Sequence, residues 1–226
     1  KEQLEEIDQI ANNPEQPTFE NTLVELERTG KTLSKVADVF FNLLSSNTNE
    51  LMDKIAAEVS PKLSAHSDAI SLNKKLFDRV HAVYEQRNEL GLSTEQMRLV
   101  EETHKGFIRS GVQLDTPSME KLTQINQELS SLSVQFDQNL LKETNEGYSL
   151  LIDDENQLDG LPEDFRDQAA KLAEENGHDG KWMFKPTRVS MYPFLTYSTQ
   201  RDLREKLYTS YIKRGDNDND RDNKNL

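Results

Sequence analysis

The stretch from Thr116 to Glu146 constrains this chain most, because it is its longest uninterrupted helical signal. Met119, Leu122, Ile125, Leu129, Leu132, Phe136 and Leu140 recur three or four residues apart, which places them on one stripe of a 3.6-residue helix. Thr116 and Pro117 supply a cap and a pre-set first turn, Glu120 suits the positive end of the helix, and Asn145 and Gly147 supply the stop. At 1.5 Å per residue the rod is roughly 45 Å long. A rod with one apolar stripe demands helical neighbours, so the rest of the chain is expected to pack around it.

The preceding residues carry further helical patterns. Leu4, Ile7, Ile10 and Ala11 mark a first helix that ends at Asn12, Asn13 and Pro14. Thr18 caps a second, whose stripe of Phe19, Leu23, Leu26, Leu33, Val36, Phe40 and Leu43 runs through Gly30. That glycine is read as a point of close approach by a neighbouring backbone rather than as a break. After a turn at Asn47-Thr48-Asn49, one phase of apolar residues passes through Pro61 and predicts a single kinked helix. Asn73 caps the next helix, and Ser93 with Gln96 forms a capping box for another, which Gly111 closes.

Beyond Gly147 the pattern changes. Tyr148 to Ile152 and Trp182 to Phe184 read as two short strands that pair, with a helix from Pro162 to Asn176 between them. Ser198 is expected to cap a last helix carrying Leu203, Leu207 and Tyr211, ended by Gly215. The fold class is therefore mainly α, a bundle of long antiparallel helices with one small two-stranded β element near the C-terminal third. The organisation is a long-helix bundle over 1–146, the β element with its helices over 147–215 packed on the same domain, and a polar tail over 216–226.

Composition narrows the chemistry. With a net charge of −14 and no concentrated basic face, nucleic acid is not an expected partner. No cysteine is present, which removes disulfides, thiolate ligands and thiol nucleophiles. No stretch approaches the ~18 apolar residues of a membrane helix, so no membrane partner is expected. A cytoplasmic location is expected, although the chain starts at Lys1 without an initiator Met, which leaves room for upstream residues such as an export signal.

No catalytic motif stands out. The 4 histidines, His66, His81, His104 and His178, are scattered, with no His-Glu-x-x-His and no pair at i, i+4. Each is read as a hydrogen-bonded helix histidine without an identifiable partner. Adjacent carboxylates such as Glu101-Glu102 point about 100° apart on a helix and are solvated surface. Asp216, Asp218 and Asp220 imitate the start of a calcium loop, but Arg221 stands where that loop needs glycine and its closing glutamate is absent. The aromatics from Trp182 to Tyr211 are expected to form a second core under the small sheet. Arg188, Tyr192 and Tyr197, placed on a short loop, are the candidates for a wall that hydrogen-bonds a peptide backbone.

Several segments carry a resemblance. Pro17-Thr18-Phe19-Glu20-Asn21-Thr22 with Leu26-Glu27-Arg28-Thr29-Gly30, Val39-Phe40-Phe41-Asn42-Leu43 with Asn47-Thr48-Asn49-Glu50-Leu51, and Pro61-Lys62-Leu63-Ser64-Ala65-His66 form one series. Arg201-Asp202-Leu203-Arg204-Glu205-Lys206 through Arg214-Gly215-Asp216-Asn217 to Asp222-Asn223 completes it. Together they resemble the N-terminal region of the thimet-oligopeptidase-like zinc metallopeptidases. Leu72-Asn73 with Leu76-Phe77, and Leu90-Gly91-Leu92, fit the bacterial peptidyl-dipeptidases, the dipeptidyl carboxypeptidase group, better than oligopeptidase A. The resemblance implies zinc on a His-Glu-Phe-Gly-His motif and a later glutamate in a C-terminal catalytic domain. None of those residues occurs here.

By that resemblance this chain is a helical channel wall, inactive alone, whose partners are its own catalytic domain and an oligopeptide losing C-terminal dipeptides. No cofactor is expected in the chain itself, zinc being implied for the catalytic domain. The alternatives are a fragment of an oligopeptidase A-like endopeptidase and a non-enzymatic helical binding module. A piece of a larger protein should expose apolar surface, and the aromatic-rich end is the expected place.

Overall fold

The computed structural model describes residues 1–226 and is mainly α-helical with one two-stranded antiparallel sheet, the expected class. It divides into two compact units, Lys1–Val134 and Gln135–Leu226.

In the first unit α1 (Glu2–Ala11) leads to a π-helical turn (Phe19–Val24) that runs straight into α2 (Glu25–Arg28). Then follow α3 (Lys31–Ser46), α4 (Glu50–Ser71), α5 (Lys74–Gln86) and α6 (Thr94–Arg109). The expected caps are present. Thr18 and Asn21 exchange hydrogen bonds of 3.0 and 2.8 Å, Asn73 accepts from the Leu76 N–H, and Ser93 and Gln96 form the reciprocal box. Pro61 sits inside an unbroken α4.

The core gathers Ile7 of α1, Leu23 of the π turn, Leu76, Val80 and Val83 of α5 and Val100 of α6, all at most 1% exposed. Arg79 is buried beside it. Its Nη1 donates to the carbonyls of Asn13 and Glu15, and its Nη2 donates to Asn21 Oδ1, at 2.8 to 2.9 Å. The connection between α1 and the π turn is thus pinned to α5 by one guanidinium, whose pKa burial lowers.

Two expectations fail here. Gly30 does break the second helix: its φ of +70° is left-handed and separates α2 from α3. A Cβ there would collide with the Gln3 side chain, and the Gly30 N–H donates to Glu6 Oε2 at 2.9 Å, so the close neighbours are side chains of α1. The long helix α7 (Thr116–Glu146) has the expected bounds but is not the packing centre, because Glu143 is its only buried residue. Ile125, Leu129 and Phe136 are all exposed. Its cap is also one residue earlier than expected: the Asp115 carboxylate accepts from the Ser118 N–H at 2.8 Å, and the Ser118 side chain, then that N–H, holds its pKa below the usual range.

In the second unit β1 (Leu150–Ile152) pairs antiparallel with β2 (Trp182–Phe184), Leu150 opposite Phe184 and Ile152 opposite Trp182. A short 3-10 turn (Glu155–Leu158), α8 (Glu163–Glu175), α9 (Arg188–Tyr197) and α10 (Arg201–Ile212) complete it. Ile152, Leu158, Phe184, Phe194 and Leu207 form its core, with Phe184 and Phe194 edge to face at 4.8 Å. Helix α9 was not anticipated. Pro193 lies inside it and forfeits a backbone bond, which reads in sequence as a loop, yet burial of Met191 and Phe194 holds the segment helical. Ser198 therefore ends α9 instead of starting α10, and its Oγ accepts from the Gln200 N–H at 3.2 Å.

The exposed apolar residues are not confined to the aromatic end. Leu33, Val36, Val39 and Leu43 of α3 and Leu51 and Ile55 of α4 are exposed as well, and α3 buries no residue at all.

Gly30→Ala is expected to destabilise the first unit by about 1–2 kcal/mol, the cost of a left-handed residue with a Cβ. Urea unfolding followed by circular dichroism measures it, and an unchanged midpoint would remove Gly30 from this role.

Candidate functional site

The second unit holds a cleft of about 850 Å³ between one face of α10, the end of α7, Tyr148 and Pro186. One wall is built from a buried charge. Glu143, in the last turn of α7, is 6% exposed and accepts hydrogen bonds from Asn217 Nδ2 (3.1 Å) and Asn219 Nδ2 (3.2 Å). Arg221 stands 3.9 Å from the same carboxylate. Gly147 lets the chain turn beside it, since a Cβ there would run into the Glu143 backbone oxygen and carboxylate.

The segment after Gly215 is consequently ordered. Asn223 Nδ2 donates to the Phe136 carbonyl at 3.2 Å and Asn139 Nδ2 donates to Asn223 Oδ1 at 2.9 Å. Two of the calcium-like aspartates, together with Asp222, hold an internal cation: Lys224 Nζ lies 2.8 Å from Asp216, 2.7 Å from Asp218 and 3.4 Å from Asp222. Those carboxylates raise the Lys224 pKa above its ordinary value, Asp216 most.

Arg188, Tyr192 and Tyr197, chosen from sequence, lie on helix α9 and not on a loop. Arg188 Nε donates to the Tyr211 hydroxyl at 3.3 Å, and Arg214 stacks over the Tyr211 ring at 4.1 Å. Their hydrogen bond and positive charge hold the Tyr211 phenol below its ordinary pKa, Arg188 contributing most. Tyr192, one turn after Arg188, shares its face and charge environment. Tyr197 does not join them, being about two and a half turns further on. Tyr211 is the member that sequence reasoning assigned to the core alone; it packs against the core while its hydroxyl reaches Arg188. Arg214 links this group to the cleft, donating from Nη1 to Thr144 Oγ1 at 3.1 Å.

The histidines are not all solitary. His66 Nε2 lies 2.7 Å from Gln3 Oε1. His81 of α5 and His104 of α6, far apart in sequence, meet with Nδ1 and Nε2 2.9 Å apart. The buried His104 ring stacks on Tyr84 at 3.8 Å and on Phe77 at 5.4 Å. No signal within one helix pattern announces such a pair, because it depends on the register between two helices. The side chains present do not fit a catalytic zinc: no group of three His, Cys, Asp or Glu residues is placed to hold a metal ion.

No family model matches the chain. It is 37% identical over 203 residues to dipeptidyl carboxypeptidase of Escherichia coli, covering 90% of this chain and 30% of that protein. The chain is similar to dipeptidyl carboxypeptidases and oligopeptidases A over part of their length. Oligopeptidase A of Haemophilus influenzae is 29% identical over 208 residues, covering 92% of this chain and 30% of that protein. Probable cytosolic oligopeptidase A of Arabidopsis thaliana is 28% identical over 228 residues, covering 96% and 32%. This peptidase homologue thus spans about a third of the length of the relatives it matches. No helix in it is long and apolar enough to cross a membrane.

Burial, then the neighbouring His81, lowers the His104 pKa from its ordinary 6.5, against the opposing pull of Glu85; Arg87 adds to the lowering. Between that lowered value and 6.5 the unfolded chain binds the extra proton. Stability is therefore present above pH 6.5 and lost as pH falls through the native pKa. Thermal unfolding from pH 7.5 to 5 should show this loss in the first unit, and His104→Gln should reduce the slope.

Proposed function

We propose that this chain is the N-terminal, non-catalytic wall of a peptidase that releases dipeptides from the C-terminal ends of oligopeptides. The observation that carries it is the 37% identity to dipeptidyl carboxypeptidase along 90% of the chain, against 28–29% to the oligopeptidases A. In this reading the catalytic zinc is held by residues outside this sequence. The wall's contribution is geometric. Helices and a small sheet with a firm core present a cleft, and beside it the Arg188–Tyr211–Arg214 group presents donors suited to peptide carbonyls and carboxylates.

The test compares this chain with the product of its whole reading frame on a blocked pentapeptide, with zinc added and products identified by mass spectrometry. The whole product is expected to release a C-terminal dipeptide in a chelator-sensitive way, and this chain none. Internal cleavage by the whole product would replace the dipeptidase assignment with an oligopeptidase A-like one. Chelator-sensitive release by this chain alone would overturn the wall reading.

A further inference from the structure

The cleft is lined along α10 by Asp202, Glu205, Lys206, Thr209 and Lys213, which fall on one side of a 3.6-residue helix. None of the four charged groups makes an ion pair, although the chain elsewhere pairs exposed lysines readily. The Tyr148 and Thr209 hydroxyls likewise have no hydrogen-bond partner in the chain. Tyr148 is exposed, and its ring and the buried Pro186 supply an apolar surface beside these groups. A cleft with free acids at one end, a free ammonium at the other and unpaired hydroxyls between them matches a ligand with the reverse polarity. An extended peptide has that pattern: an ammonium, a run of amides and a carboxylate.

We propose that this cleft binds an unblocked oligopeptide of about five residues lengthwise along α10. Its amino end meets Asp202 and Glu205, and its carboxylate meets Lys213. The length follows from the helix: Asp202 and Lys213 are separated by roughly 16 Å along the axis, and an extended peptide advances about 3.4 Å per residue. Lys206 and Thr209, midway, face the peptide carbonyls. The ligand class rests on the peptidase reading above; the polarity and length rest on this cleft alone. One rival explanation lies in the helix itself, since acids in the first turn and a lysine beyond the last also complement its dipole. That role stabilises α10 without any ligand.

Pentaalanine titrated into this chain, followed by amide chemical shifts, separates the two. Free pentaalanine should shift the resonances of α10 and Tyr148, and its C-terminal amide and N-acetyl forms should each bind about fivefold more weakly, as for a partly screened ion pair. Lys213→Gln should weaken binding of the free acid by about the same factor and leave the amide unaffected. Asp202→Asn with Glu205→Gln should do the same for the free amine and leave the acetylated peptide unaffected. Equal binding of free and blocked peptides, or no shifts at millimolar peptide, would overturn the proposal. So would variants that lower the unfolding midpoint without changing the titration, the dipole outcome. Each of these results is independent of dipeptide release by the whole reading-frame product, so the two readings fail separately.

Discussion

A carboxylate removed from water must be met by donors, and the organisation of the second unit follows from how Glu143 is met. Two asparagine side chains and an arginine, all from the segment after Gly215, converge on it. Left bare, a buried carboxylate costs several kcal/mol, far more than an exposed polar segment gains from its own freedom. The segment is therefore drawn back along α7, and the end of α7 becomes one wall of a cleft that α10 and Tyr148 complete. The Arg188–Tyr211–Arg214 group is tied to the same wall through Thr144.

The first unit solves a similar problem with the opposite charge. Arg79 gathers two loop carbonyls and the Asn21 side chain, so that the polar connection between α1 and the π turn lies on α5 without leaving its backbone oxygens unpaired. Around it the apolar residues of α1, α5 and α6 close the core. The helices α3 and α4 take little part, and most of their apolar stripe remains in solvent. Stripes of that kind are apolar surface open to further packing.

Helix bounds and caps were legible wherever the signal is local. The ends of α7, the boxes at Thr18 and Ser93, the continuous passage through Pro61 and the pairing of the two strands all follow from short-range spacing. Periodicity said which residues share a face, but not whether that face is covered, so the α7 stripe was taken for a core seam. Gly30 shows the same limit. An apolar phase that survives a helix break cannot reveal it, and only the αL backbone and the Glu6 contact do. In the candidate site, Arg188 and Tyr192 read as loop residues, because the α9 helix was hidden by Pro193. The His81–His104 pair and the Glu143 cluster were not legible, because each joins residues whose proximity is set by tertiary packing.

A calcium loop is ordered only while the ion is present, and it reports on the concentration around it. Here the positive charge of Lys224, which gathers Asp216, Asp218 and Asp222, is covalently part of the loop, so no ion need be captured to close it. A motif shaped like a sensor serves as a fastener made of surface ion pairs, which salt screens.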